Sequence, residues 1–438
     1  MSEIKNTKQR DVYIVDGART PFLKARGKPG AFSASDLAIQ TGRELLSRQP
    51  FKPSDLNEVV IGCMMPSPDE ANIARLIALR LGCGKAIPAW TVQRNCASGM
   101  QALDSALKDI ASGRHDLVLA GGTEAMSHAP LLFNNQMTNW FSGMMGAKTF
   151  NQKLKQTLKF RPPFLKPVIA LLRGLTDPTV NLTMGQTAEN LAYRFNISRE
   201  EMDAFSLESH QRTLSAQNNH YLTDVLPAFS STGDFFIADD GVRADTTLAK
   251  LASLKPFFDK KFGNVTAGNS SQVSDGAALL LLASIDAIKK YQLPILARIT
   301  DVQWAGVPPE EMGLGPVNSS VQLLNRQQLG IDDIDYWEIN EAFAAQVLGC
   351  LAAFADNDYC KVHFGMNQAF GKIDPNKLNI DGGAIALGHP VGASGARIVL
   401  RLAHILKRQQ AKRGVAAICI GGGQGGAMLI ENISEVNL

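Results

Sequence analysis

Short apolar runs alternate with amphipathic stretches along most of the chain. Val12-Tyr-Ile-Val, Val59-Val-Ile and Leu117-Val-Leu-Ala have the length and β-branched content of buried strands. Between such runs, Ser35 to Leu46 and Cys96 to Ile110 repeat apolar positions at helical spacing, and the second places Met100, Leu103, Leu107 and Ile110 on one face. Strand–helix alternation predicts an α/β sheet covered by helices on both sides.

The pattern occurs twice. Asp55-Leu-Asn-Glu-Val-Val-Ile resembles Asp333-Ile-Asp-Tyr-Trp-Glu-Ile, and Asn95-Cys-Ala-Ser-Gly-Met-Gln-Ala resembles Val391-Gly-Ala-Ser-Gly-Ala-Arg-Ile. Leu117-Val-Leu-Ala-Gly-Gly-Thr resembles Ala417-Ile-Cys-Ile-Gly-Gly-Gly, in the same order and at similar spacing. Any one pair is matched by chance often enough; three in order point to duplication. Two similar sheets around a pseudo-twofold axis would bring equivalent loops face to face, with an active site at the seam.

The charge pattern adds an insertion to this picture. From Ala125 to Thr176 there is no Asp or Glu, while Lys148, Lys153, Lys155, Lys159, Arg161, Lys166 and Arg173 give the segment a charge of +7. The whole chain of 438 residues carries only +3, so the remainder is about −4 (3 − 7). Near-balance overall gives no case for nucleic-acid binding. The basic stretch 148–173 is instead expected to meet an anionic surface, either the inner membrane leaflet or an acidic partner, with Leu165, Val168, Ile169, Leu171 and Leu172 as apolar anchors.

The six cysteines are far apart and form no Cys-x-x-Cys pair, which argues against a disulfide framework or a structural zinc site. Residues 1–8 lack the apolar core of a signal peptide, no run reaches the ~18 apolar residues of a membrane span, and the final four residues match no common address signal. A reducing cytoplasm is the expected setting.

Four residues carry candidate chemistry. Cys96 opens a predicted helix, where the dipole and nearby N–H groups are expected to lower its pKa; taken alone, a buried structural cysteine is the commoner reading. His389 lies in the Gly-rich run Gly382-Gly-Ala-Ile-Ala-Leu-Gly-His-Pro and is a natural base for a thiol, although a loop histidine can equally be satisfied by backbone. Cys419 ends a strand ahead of Gly421-Gly-Gly-Gln-Gly-Gly, whose N–H groups suit an oxyanion hole. That run lacks the Gly-Lys-Ser/Thr ending of a nucleotide loop. Asn340 follows another strand-like run, where it can position a water or cap a helix.

Together these motifs resemble the thiolase family. Asn95-Cys-Ala-Ser-Gly-Met-Gln-Ala is similar to its nucleophile motif. Gly121-Gly-Thr-Glu-Ala-Met-Ser, Met184-Gly-Gln-Thr-Ala-Glu, Val265-Thr-Ala-Gly-Asn-Ser-Ser, Asn340-Glu-Ala-Phe-Ala, Gly388-His-Pro and Cys419-Ile-Gly-Gly-Gly follow in family order. The resemblance implies two duplicated α/β halves in a layered core with an inserted loop domain, here 9–128 with 262–293, 294–438, and 129–261. It implies a 3-oxoacyl-CoA acyltransferase that needs no metal or cofactor and takes coenzyme A as substrate or product. Cys96 would carry the acyl group, and His389 would activate it. His389 and a water on Asn340 would bind the thioester oxygen, Cys419 would move a proton at the α-carbon, and the N–H groups of Cys96 and Gly421 would hold the oxyanion. Ser271, Met184, Thr183 and Ala267 would contact the substrate. Implied partners are acyl-CoA and CoA, a second copy or three more, and a hydratase/dehydrogenase subunit.

Two departures bear on the substrate. Thr183 stands where many short-chain members have histidine, and the insertion is longer and more basic. Both look more like the thiolase subunit of fatty-acid-oxidation complexes; a short-chain acetyl-CoA acetyltransferase is the alternative. A decarboxylating ketosynthase would replace Cys419 with a second histidine. A non-catalytic acyl-CoA carrier would have lost site residues that this chain keeps.

Overall fold

The computed structural model describes residues 10–433. The leader and address readings, on 1–8 and 435–438, lie outside the described residues, as do the outermost domain limits 9 and 434–438. A ten-stranded sheet runs through the molecule. Its main strands are β1 (Val12–Arg19), β2 (Glu58–Gly62), β3 (Ala89–Val92), β4 (Leu117–Ala125), β5 (Ser274–Ser284), β6 (Ala297–Gly306), β7 (Tyr336–Ile339), β8 (Arg413–Ile420) and β9 (Gln424–Glu431). They lie in the order β7-β8-β9-β6-β1-β5-β4-β2-β3, and Leu23–Lys24 adds a two-residue pairing to the start of β5.

The duplication is visible strand by strand. In the first half β2 is parallel to β4, which is antiparallel to β5, which is antiparallel to β1. In the second, β7, β8, β9 and β6 repeat that sequence of pairings. Even an irregularity is repeated. β1 shifts register between Ile14 and Asp16, and β6 between Ile299 and Asp301. Asp16 accepts hydrogen bonds from Gly17 N at 2.8 Å, from Arg48 at 2.8 and 2.7 Å, and from Gln49 at 2.6 Å. Asp301 accepts from Val302 N, twice from Arg326, each at 2.8 Å, and from Gln327 at 2.6 Å. Each bulge frees a backbone N–H, which the carboxylate satisfies.

The halves do not form two separate sheets. β1 and β6 pair antiparallel, with Val12 opposite Ile299 and Ile14 opposite Ala297, so one ladder crosses the seam. Without this pairing each strand would leave a row of backbone groups unmet at a sheet edge.

The helices used below are α1 (Ala34–Ser47), α2 (Ser98–Ala111), α3 (Asn135–Gly146), α4 (Phe150–Thr157), α5 (Ala170–Gly174), α6 (Met184–Arg194), α7 (Arg199–Asn218), α8 (Gly315–Arg326) and α9 (Val391–Gln409). Alternation along the strands sorts the layers. Val60, Val118 and Leu280 of one half, and Ala416, Ile418 and Met428 of the other, point inward to α2 and α9. The neighbouring positions Val59, Leu119 and Leu279 pack on α1, while Val415, Ala417 and Leu429 pack on α8.

At the centre α2 and α9 touch through small residues. A Cβ on Gly99 would lie 2.8 Å from Gly392 O and 3.0 Å from Ala396 N, and one on Gly395 would lie 2.7 Å from Met100 N. This contact sets where both helix starts meet.

The insertion is tied to both halves by buried ion pairs. Arg19 at the end of β1 donates to Asp239 at 2.6 and 2.8 Å and to Asp224 at 3.1 Å, and Asp224 also pairs with Arg401 of α9. Burial alone would raise Asp224, but Arg401 and Arg19 hold its carboxyl far below the usual range.

In an open helix Gly→Ala is stabilising by about 0.5–1 kcal/mol. Gly99→Ala should reverse that sign and lower stability by about 1–3 kcal/mol, because the neighbours it meets are backbone atoms. Thermal unfolding checks this; a raised melting temperature would refute the helix contact as described.

Candidate active site

Its sequence position predicts that Cys96 opens a helix; in the structure α2 begins two residues later, at Ser98. The turn before it is closed by a side chain. Ser98 Oγ accepts from Arg94 N at 2.9 Å and donates to Asn95 O at 2.7 Å, and Asn95 takes the left-handed φ of 43°. Asn tolerates that region better than most residues. Asn95 Nδ2 then donates to Gly421 O at 2.7 Å, which ties the Cys96 turn to the glycine loop after β8.

The duplicated position does the same work on the other side. His389 and Pro390 precede α9, and Ser394 Oγ lies 3.0 Å from Pro390 O and 2.6 Å from His389 Nδ1. With its one hydrogen directed to Pro390 O, the hydroxyl accepts Nδ1–H and leaves Nε2 with the free lone pair. Nε2 has no partner among the described residues, although His389 is buried. Asn340 shows a similar opening. Arg397 of α9 donates to its Oδ1 at 3.3 Å and to Glu338 at 3.1 Å, and Asn340 Nδ2 is left without a partner among the described residues.

Cys96, His389 and Cys419 line one cavity of about 560 Å³ with Ser271, Thr183 and Met184. Thr183 also caps α6, accepting from Gln186 N, and Met184 reaches Gly421, where a Cβ would lie 3.2 Å from its sulfur. Much of the remaining lining is apolar: Phe257, Phe258 and Phe343, with Leu171, Leu172 and Leu175 from the insertion. Ala267 is elsewhere. It lines an adjoining cavity of about 360 Å³ with Arg243 and Lys250, and Gln272 belongs to both. Asn340 is fully buried and lines neither.

Protonation differs from the expectation for Cys96. Burial pushes its thiol up to about 11, outweighing the N–H groups of Gly421 and of Cys96 itself, which lower it. At Cys96 the two N–H groups do not offset the loss of water around a thiolate. Burial, followed by nearby Arg397, pushes His389 down to about 3. Burial, followed by neighbouring Cys96, raises Cys419 well above the ordinary thiol value. The resting site therefore holds two thiols and a neutral imidazole.

Residues 12–286 match the family model of the thiolase N-terminal domain, and residues 293–432 that of the C-terminal domain. The chain belongs to the thiolase family. It is 38% identical to the mitochondrial 3-ketoacyl-CoA thiolase of Rattus norvegicus, covering 97% of this chain and 98% of that one. It is 39% identical to the beta-ketoadipyl-CoA thiolase of Pseudomonas aeruginosa, over 97% of this chain and all of that protein. A crystal structure of human mitochondrial 3-ketoacyl-CoA thiolase in complex with CoA superposes with a TM-score of 0.82 at 36% identity, covering 97% and 98% of the two chains.

Four contributions to the site of this thiolase were not read from its sequence. Ser394 lay in the repeated Ala-Ser-Gly, and its match to Ser98 was the signal for it. Arg397 sits three positions further along the same helix, on the face that meets Asn340. Glu124, in the strand-end motif, accepts from Met64 N at 2.8 Å, Met65 N at 3.0 Å and Gly392 N at 3.0 Å; burial raises it to about 7. Leu171, Leu172 and Leu175 line the cavity, so two of the expected surface anchors also border the substrate space, Leu172 while 58% exposed. Around the cavity no group has metal-ligand spacing; among the described residues the one such cluster, Glu58, Asp109 and His115, lies at the far ends of β2 and α2.

The protonation pattern has a direct readout. The thiolate is the nucleophile, so alkylation of free Cys96 should climb about tenfold per pH unit and level off only near its raised value of about 11. A plateau near neutral pH would show a preformed thiolate–imidazolium pair. Ser394→Ala should release the imidazole tautomer and lower kcat by about 10–100-fold with KM little changed; wild-type kcat in that variant would remove Ser394 from the machinery.

Proposed function

We propose that this enzyme is a 3-oxoacyl-CoA thiolase that prefers medium- and long-chain substrates and works in fatty-acid β-oxidation. The observation that carries the reaction class is the convergence of two thiols and an imidazole with a free Nε2 on one cavity. Cys96 Sγ attacks the 3-oxo carbon while its proton passes to His389 Nε2. The N–H groups of Cys96 and Gly421, already turned to that sulfur, then receive the oxyanion. The bond between C2 and C3 breaks. Its electrons form the enolate of acetyl-CoA, which His389 and a water on Asn340 stabilise at oxygen and Cys419 protonates at carbon. In the second half the thiol of free CoA gives its proton to the Cys419 thiolate and attacks the acyl–Cys96 thioester. Cys96 leaves as thiolate and recovers its proton from His389, which restores every group.

The cavity walls support the chain-length part of this reading. The apolar side of the cavity, with three leucines from the insertion, favours an acyl tail over the methyl of acetoacetyl-CoA. The adjoining cavity offers Arg243 and Lys250 to CoA phosphates. Six free thiols, five of them buried, suit a reducing cytoplasm, where the enzyme would act as a homodimer or homotetramer with a hydratase/dehydrogenase subunit.

Two measurements test this reading. Cys419→Ala should lose condensation by ~10²-fold or more while Cys96 still takes up an acyl group, seen by peptide mass spectrometry; acylation mapping to Cys419 would overturn the assignment. Turnover should rise from four-carbon to longer 3-oxoacyl-CoA, and a clear preference for acetoacetyl-CoA would put the short-chain reading in its place.

A further inference from the structure

We propose that the face built around α4 docks on an anionic lipid bilayer. α4 is exposed throughout, except at Gln156. It is held against α3 by Gln156, whose carbonyl accepts from Trp140 Nε1 at 2.8 Å and whose amide donates to Trp140 O at 3.1 Å, and by an edge-to-face contact of Trp140 with Phe160 at 5.4 Å. Phe150, Leu154 and Leu158 follow one another at intervals of a helical turn and are 79%, 48% and 68% exposed. A helix normally turns such a stripe inward; among the described residues none buries it. Met145 of α3 at 82% and Leu165 at 61% extend the uncovered apolar surface on the same insertion.

Cations accompany the stripe. Lys148, Lys153, Lys155, Lys159, Arg161, Lys166 and Arg173 are all exposed, and none forms an ion pair among the described residues. An apolar stripe flanked by unpaired lysines is the composition of an interfacial helix, with the apolar groups entering the acyl boundary and the cations meeting lipid phosphates. A second copy of this chain fits the surface poorly. A twofold contact sets the same patch against itself, and would face seven cations with seven more and no carboxylate between them.

The surface also borders the substrate space. α5, on the same insertion, supplies Leu171 and Leu172 to the catalytic cavity. A docked enzyme would hold that wall beside the bilayer, where long acyl chains partition. This last step rests on the long-chain reading above; the docking itself does not.

Co-sedimentation of the full-length enzyme with phosphatidylcholine vesicles, with and without phosphatidylglycerol, tests the proposal. The enzyme should pellet only with the anionic lipid and be released as salt is raised. Combining Lys153→Gln, Lys155→Gln and Lys159→Gln should cut the bound fraction by about tenfold or more. Phe150→Ser with Leu154→Ser should do the same, while both variants keep turnover of a soluble substrate, which reports an intact fold. Equal recovery with both vesicle types, no recovery, or recovery unchanged by either variant overturns the proposal. So does a fall in oligomer size in the serine variant, measured by light scattering, which would make the stripe a contact between copies. Intact vesicle binding with a short-chain preference would leave docking standing and remove only the link to long acyl chains.

Discussion

The catalytic cavity depends on the near contact of α2 and α9. Two helices normally pass 8–10 Å apart, with side chains setting the gap. Here Gly99 and Gly395 let backbone meet backbone, so the two helix starts converge. Cys96 ends the turn before one helix and His389 the turn before the other. Glu124 fastens the junction by accepting Gly392 N together with two N–H groups of the loop after β2. Sheet, outer helices and insertion can each be understood as supporting this crossing.

Burial then decides the chemistry of the groups brought there. A dry site favours neutral forms, so the nucleophile rests as a thiol and the base as an imidazole. In the reaction proposed above, the Cys96 proton moves as the electrophile arrives, and the charge it leaves behind develops beside the N–H groups of Cys96 and Gly421. The same desolvation that suppresses the free thiolate strengthens those hydrogen bonds during reaction. Ser394 and Arg397 act one step back, turning the open atoms of His389 and Asn340 toward the site.

Much of this was legible in the sequence because it is periodic. The strands at Val12, Val59 and Leu117, the helices they feed, and the repeated Ala-Ser-Gly announce themselves by spacing. The family motifs then name Cys96, His389 and Cys419, which the fold brings to one cavity. Other features have no local signal. The β1–β6 pairing joins segments far apart, and nothing in either strand's composition states its partner. The direction of the Cys96 shift depends on how much water the finished fold excludes, which a helix-start position cannot convey. Leu171 and Leu172 read equally well as surface anchors or cavity wall, since an apolar residue in an insertion carries no label for the side it faces. Ala267 was grouped with Ser271, Met184 and Thr183 as substrate contacts by motif, and tertiary folding sets it in the neighbouring cavity rather than beside Cys96.

The duplication has one more consequence. The halves agree where they carry load: the same bulge, the same Asp–Arg–Gln clamp, the same serine closing the turn before the central helix. They differ where bonds are made and broken. The nucleophile comes from the first half, while the imidazole, the second thiol and the amide come from the second. Neither half holds a working set by itself, so turnover reports that the seam has closed correctly.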